Sequence, residues 1–167
     1  MVFFKQTKEK DVNGKTKIDK LEEINKTLKK YNLGFGNRVF DEIIMFLYNS
    51  QNSKYPFENL DEAFDLAIKM KVLPKFHGTR QKLEEPIIEF LRIIELEKDD
   101  ENPNQEEKDI IKEISEGLKG IPMIEKTLLK VELNNKGVQI TTPYIYTTHK
   151  LLEMLYKLKT QGFVSFM

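Results

Sequence analysis

The sequence predicts a mainly α-helical protein, a bundle of about five or six helices with one small β-hairpin near 128–142. Two observations carry this prediction. Apolar residues recur every three or four positions in five or six separate segments, as they do on one face of a helix, whereas strict alternation is confined to 128–142. The length of 167 residues fits about one domain, and the 40% of apolar residues can fill its core.

The first two predicted helices follow an N-terminal stretch that shows no clear helical or strand pattern. Residues 1–15 are largely polar or charged, and we expect a loose leader or a strand edge there. From Thr16 the apolar positions have helical spacing, which predicts a first helix with Gly34 as the stop beyond it. A second helix is expected to begin near Arg38, and its broad apolar face predicts burial between other helices.

Two further helices are marked by their ends. Asn59-Leu60-Asp61-Glu62 matches a capping box, in which side chains bond the free amides of a first turn, and it predicts a helix through about Lys71 that Pro74 ends. Thr79 is a candidate N-cap for the next helix. Pro86 interrupts the apolar pattern of that helix, so we expect a kink or a fresh first turn there.

The segment that follows is predicted to hold a linker, a short helix and the hairpin. A polar, acidic linker over 97–108 precedes a helix that ends at Gly117 or Gly120. Residues 128–142 alternate around Asn134-Asn135-Lys136-Gly137, which predicts a hairpin and the only β structure of the chain.

A last helix is expected from near Thr147 to Gln161, with Gly162 ending it. No internal repeat or sustained heptad is present, so neither a solenoid nor a coiled coil is expected. The predicted organisation is a leader, a helical core, an acidic linker and a helical extension packed on the core, over 1–15, 16–96, 97–108 and 109–167.

Charge and composition exclude several function classes. The 27 basic and 27 acidic residues rule out a bulk polycation for nucleic acid, although residues 84–116 hold 13 acidic and only 4 basic residues. The chain has no cysteine and two widely separated histidines, which excludes the usual zinc-ligand spacings. No apolar run approaches the roughly 20 residues that cross a bilayer, so we expect no membrane partner and a cytoplasmic location.

Common catalytic patterns are absent as well. The sequence contains neither the phosphate loop G-x-x-x-x-G-K-[ST] nor the nucleophile elbow G-x-S-x-G. Paired carboxylates such as Glu84-Glu85 lie in charged stretches typical of a solvated surface. We therefore expect no catalytic residue, no metal site and no bound cofactor in this chain alone.

Several short segments stand out, namely YNLGFGNRVFDEI at 31–43, KVLPKFHG at 71–78, and near the end KLLEML at 150–155 with GFVSF at 162–166. In this order, these segments resemble the C-terminal part of McrB-like AAA+ NTPases. The resemblance covers most of 18–96 and 143–167, whereas 97–142 matches nothing in that family.

In that family these segments form the helical lid that follows the nucleotide-binding core. The resemblance therefore implies a lid without its core, from a split or truncated gene or an excised piece. It also implies a parent that hydrolyses ATP or GTP with Mg²⁺, whereas this chain alone binds no cofactor. The implied partners are the AAA+ core domain, the ring subunits and, through the parent restriction motor, a nuclease subunit and DNA.

Arg38 is the leading candidate residue. By resemblance it occupies the sensor-2 position, at the start of a lid helix, where the family's arginine reaches the terminal phosphates of the nucleotide. The residue type suits this role, because a planar guanidinium binds phosphate oxygens with two hydrogen bonds and stabilises developing charge. The alternative is a surface arginine that pairs with Asp41 or Glu42 one turn later.

Lys75, His77 and Arg80 are weaker candidates for a phosphate or partner contact. They surround the predicted helix start at Thr79, where amides and basic side chains could hold an anion. The alternative is that Pro74 and its neighbours only shape a tight connection and that Arg80 is plain surface.

A different class of function is also compatible with the sequence. The chain could be a stand-alone helical binding or regulatory module with a protein or nucleic-acid partner. Its basic ends are rich in lysine but hold few interleaved aromatic residues, so they give little indication of groove-reading nucleic-acid binding.

Overall fold

The structure, a computed structural model, describes residues 16–52, 59–98 and 109–166. Six α-helices and two small antiparallel sheets are present in these ranges. In chain order the elements are α1 (Lys17–Lys29), α2 (Asn37–Asn52), α3 (Leu60–Lys71), a 3-10 turn (Leu73–Lys75), β1 (Gly78–Thr79), α4 (Arg80–Ile93), β2 (Glu97–Lys98), α5 (Ile110–Gly117), β3 (Met123–Glu125), β4 (Leu128–Leu133), β5 (Lys136–Thr141), α6 (Ile145–Gln161) and β6 (Phe163–Val164).

Most predicted helix ends are confirmed by the capping contacts. Thr16 Oγ1 accepts the amide of Asp19 at the start of α1, and Asn59 Oδ1 accepts an amide in the first turn of α3. Gly162 ends α6 with a left-handed φ of 77°. Thr79 does precede α4, but its side chain makes no capping hydrogen bond.

Helix α4 is continuous through Pro86, so the predicted fresh start at this residue is wrong and one helix covers Arg80–Ile93. A proline inside a helix removes one backbone hydrogen bond. Buried apolar residues lie on both sides of Pro86, with Leu83 before it and Ile87 after it. Their burial anchors α4 to the core on both sides of the proline.

The two predicted helical regions share a single core. One cluster of buried side chains runs from Leu21 in α1 to Val164 in β6. Helix α6 packs on α3 and α4, α1 packs on α4, and α2 packs on α3. Helix α2 packs its predicted apolar face on the core, with Ile43 and Leu47 buried, whereas Met45 and Tyr48 outside that face are 54% and 43% exposed.

A buried carboxylate joins α3 to α6. Asp65 is 1% exposed, and its two oxygens accept the backbone amides of Tyr146 and Thr147 at 2.8 and 2.7 Å. The Thr147 hydroxyl donates back to the Asp65 carbonyl at 2.9 Å. Burial raises the pKa of Asp65, although these hydrogen bonds act in the opposite direction. Asp65 therefore caps α6 from another helix.

The predicted hairpin is confirmed, but it belongs to a larger sheet. Asn134 and Asn135 connect β4 to β5 with φ angles of 47° and 69°, as a two-residue hairpin turn requires. The sheet order is β2-β5-β4-β3, and β1 pairs separately with β6. The hairpin is thus not the only β structure, and residues 97–98 of the predicted linker form an edge strand.

Three of the expectations fall on parts of the chain that the structure does not describe. They are the leader over 1–15, the remainder of the acidic linker over 99–108, and the end of the extension at residue 167. In the described ranges, no helix is both long enough and apolar enough to cross a membrane.

Candidate functional site

Arg38 lies in the first turn of α2 and points into solvent. Its side chain is 92% exposed, and its Nε donates to Glu42 Oε1 at 3.3 Å. The pair has i,i+4 spacing on an exposed helix face, where an ion pair contributes little to stability. The guanidinium is therefore accessible to a ligand.

The turn before Arg38 is held firmly. Phe35 is 1% exposed, and its amide donates to Asn25 Oδ1 at 2.8 Å. Lys75 Nζ donates to the Gly34 carbonyl at 2.5 Å. A Cβ at Gly34 would clash with Lys29 Cγ, so no larger residue fits there without movement. The exposed arginine thus emerges from a fixed backbone.

An open groove lies beside Arg38 between α2 and the end of α3. Met45 and Phe46 give the groove apolar atoms and Asn49 gives it an amide; the complete lining is Arg38, Asp41, Glu42, Met45, Phe46, Asn49 and Lys71. Lys71, the last residue of α3, places Nζ 3.5 Å from Glu42 Oε2. The two carboxylate oxygens of Glu42 thus face different cations.

The other candidate residues have partners elsewhere. Lys75 contacts the turn before Arg38, as described above. His77 is exposed, and its ring packs edge to face with the Phe163 ring at a centroid distance of 5.1 Å and an angle of 87°. Arg80 donates to both oxygens of Glu84, at 2.8 and 3.3 Å, which raises the pKa of its guanidinium.

The backbone around Arg80 is also hydrogen-bonded to the C-terminal segment. Its amide donates to the Gly162 carbonyl at 3.0 Å, and the preceding strand β1 pairs with β6 through Gly78↔Val164 and Thr79↔Phe163. One of the amides that could hold an anion at the start of α4 is therefore occupied by the C-terminal segment.

Sequence reasoning found Arg38 and its pairing with Glu42, but it did not single out Lys71 or Asn25. The i,i+4 spacing reveals Glu42 because both residues lie on one helix. Lys71 follows Glu42 by 29 positions and belongs to another helix, so no local pattern connects them. In the described ranges, no cluster of three or more His, Asp or Glu side chains could hold a metal ion.

Comparison with protein families finds a match for most of the chain. A family model described as a domain of unknown function (DUF8727) matches residues 2–163. No curated protein and no solved structure matches the chain. This family model spans both the helices and the four-stranded sheet, in line with their common core.

Proposed function

We propose that this chain, a member of the DUF8727 family, is the helical lid of a McrB-like AAA+ NTPase whose nucleotide-binding core lies outside these 167 residues. The sequence resemblance over 18–96 and 143–167 suggests the family. The observation that carries the proposal is the state of Arg38, 92% exposed at the start of α2 and presented by a backbone turn fixed by Asn25 and Lys75.

In this proposal Arg38 acts on a nucleotide that the core domain holds. ATP or GTP with Mg²⁺, bound to the core, supplies the phosphoryl group. The Arg38 guanidinium donates hydrogen bonds to terminal phosphate oxygens and stabilises the charge that develops there. The Asn25 and Lys75 contacts hold the backbone before Arg38, so its side chain starts from a defined position when the lid closes.

The fold suits a body that moves as one piece. Helices α3, α4 and α6 share a core, and Asp65 ties α3 to α6. Closing and opening of such a lid can couple nucleotide state to the movement of neighbouring ring subunits. The proposed setting is a cytoplasmic restriction motor that acts on DNA with a nuclease subunit.

The proposal places the phosphate contact on Arg38 rather than on Lys75, His77 or Arg80. Lys75 is bonded to the Gly34 carbonyl, and Arg80 is bonded by Glu84. His77 lies against Phe163. The hydrogen bond from Lys75 to the Gly34 carbonyl favours a role in supporting the turn that presents Arg38.

The test is reconstitution with the core. The DNA next to this gene is searched for a reading frame that encodes a phosphate-loop core, and NTP turnover of the two proteins together is measured. We expect Arg38→Ala to lower turnover by about 10²-fold, as for loss of one donor to a transition-state anion. Arg92→Ala is the control, because Arg92 is another helix arginine in an exposed ion pair, with Asp109, and lies outside the groove lining. Unchanged turnover with Arg38→Ala contradicts the sensor role.

The stand-alone binding module has one observation in its favour. Strand β3 lies at an edge of the four-stranded sheet and exposes apolar side chains, with Met123 68% and Ile124 37% exposed. Exposed apolar edge strands are places where partner chains can pair. An isolated gene with its own promoter and no neighbouring core would favour this second function.

A further inference from the structure

One carboxylate lies between cations from two helices. Glu42 Oε1 is 3.3 Å from Arg38 Nε, and Glu42 Oε2 is 3.5 Å from Lys71 Nζ. Arg38 begins α2, whereas Lys71 ends α3. Packing of α2 on α3 has therefore brought two cations to opposite oxygens of a single anion, at the mouth of the open groove.

We propose that this groove binds a phosphate group of a polyphosphate between Arg38 and Lys71, and that Glu42 holds the place of that phosphate when no ligand is bound. The inference rests on the proposed function and deepens it. It names Lys71 as a second phosphate ligand and Glu42 as an internal competitor that pairs with both cations until nucleotide arrives.

The exposure of the three side chains makes the exchange feasible. Arg38 is 92% exposed, and Lys71 and Glu42 are each 40% exposed. Ion pairs in water are weak, because solvent screens the charges and long side chains lose freedom. A phosphate group offers more charge and more acceptor oxygens than a carboxylate, so it can replace Glu42 between the same cations.

The charges around the groove explain why Glu42 restrains binding. Arg38 and Lys71 carry two positive charges, and Asp41 and Glu42 carry two negative charges, so the four ionisable groups of the lining cancel. A polyphosphate that approaches the cations meets the Glu42 carboxylate. Neutralising Glu42 removes the competitor and leaves a net positive groove, which should strengthen binding.

The chain contains a matched control for this charge change. Arg80 and Glu84 form another i,i+4 pair near a helix start, with side chains 50% and 29% exposed. Glu84→Gln changes the charge of the protein by the same amount as Glu42→Gln. It does so at a carboxylate that is not part of the groove lining.

The experiment is a titration of the full chain with inorganic tripolyphosphate at low salt, followed by NMR of the Arg38 Nε–H and the amides of α2. We expect saturable binding that becomes several-fold tighter with Glu42→Gln and about tenfold weaker with Lys71→Met, as for loss of a charge-assisted hydrogen bond. Glu84→Gln should stay within about twofold of the wild type, because exposed charges at a distance are screened. Circular dichroism of each variant establishes that it is folded.

Three results would overturn the inference. They are the absence of saturable binding in both the wild type and Glu42→Gln, equal gains from Glu42→Gln and Glu84→Gln, and wild-type affinity in a folded Lys71→Met. Failure here is distinct from failure of the lid function, because the titration needs no core domain. Turnover that depends on Arg38 alongside wild-type binding by Lys71→Met would leave the lid function standing and remove this site.

Discussion

Arg38 and Arg80 occupy similar local positions in two different helices. Each lies in the first turn, and each has a glutamate four residues later, Glu42 or Glu84. Their surroundings differ. Arg38 is 92% exposed and makes one hydrogen bond of 3.3 Å to its glutamate, whereas Arg80 is 50% exposed and donates to both oxygens of Glu84.

The difference comes from what packs next to each helix start. The C-terminal segment covers the start of α4, where β6 pairs with β1 and the Gly162 carbonyl takes the Arg80 amide. At the start of α2 the neighbour is instead an open groove, closed on one side by Lys71. The same local pattern therefore produces a restrained arginine in one place and an accessible one in the other.

The largest expected effect comes from substituting Asp65, which caps α6. Helix α6 leads into the C-terminal segment that covers the start of α4. Asp65→Ala leaves a buried and a partly buried amide of α6 without acceptors, and we expect the free energy of unfolding to fall by about 3 kcal/mol in urea titrations. Asp65→Asn keeps one acceptor oxygen and should lower the free energy of unfolding by less. In hydrogen exchange the Arg80 amide should lose more protection than the Phe40 amide, which donates to Gly36. Equal losses at the two amides would break the comparison.

The turns before the two arginines should respond differently to alanine. Gly78, before Arg80, has a φ of 147°, a conformation that is essentially restricted to glycine, and Gly78→Ala should cost about 2 kcal/mol of unfolding free energy. A Cβ added at Gly36, before Arg38, would meet no atom within 4 Å, so Gly36→Ala is the control and should change stability by less than about 0.5 kcal/mol. Thermal unfolding of the two variants measures the difference in stability. Similar losses of stability in both would contradict the prediction.

Replacing each arginine in turn should show which of the two binds an anion and which only makes a structural ion pair. We expect Arg38→Ala to weaken tripolyphosphate binding about tenfold, whereas Arg80→Ala, whose guanidinium is already bonded by Glu84, should weaken it far less. The same NMR titration measures both affinities. If Arg80→Ala weakened binding as much as Arg38→Ala, the anion would contact both helix starts and the distinction between them would be lost.

Arg92 is the third arginine of the chain, and its substitution is expected to have the smallest effect. Arg92 bonds Asp109, the N-cap of α5, and holds the pKa of that carboxyl below its usual value. A lowered folded pKa means that the stabilisation is present above the unfolded value of about 3.9 and is lost as the pH falls through the folded value. Arg92→Ala should therefore lower the unfolding temperature slightly at pH 7 and not at pH 2. An equal decrease at both pH values would contradict this linkage.

The helices were predictable because their ends depend on nearby residues. Thr16, Asn59 and Gly162 end or begin helices through contacts within a few residues, and these appear in the sequence as short patterns. The hairpin was equally predictable from two adjacent asparagines at its turn. Pro86 shows the limit of local patterns, since the apolar contacts on either side of it outweigh the lost hydrogen bond.

The short strands could not be predicted. Strands β1, β2 and β6 have two residues each, too few for an alternating pattern, and each exists because a distant strand pairs with it. The same is true of the site. Arg38 was found by resemblance and Glu42 by spacing, whereas Lys71 reaches Glu42 only because α2 packs on α3.

By itself the sequence determined where five or six helices and one hairpin form, and it marked Arg38 by resemblance, because caps, turns and periodicity act over a few residues. Only the tertiary structure decided that Arg38 is accessible while Arg80 is restrained. The physical reason is that exposure and charge pairing depend on which distant elements pack beside a helix start, such as β6 beside Arg80 and the end of α3 beside Arg38.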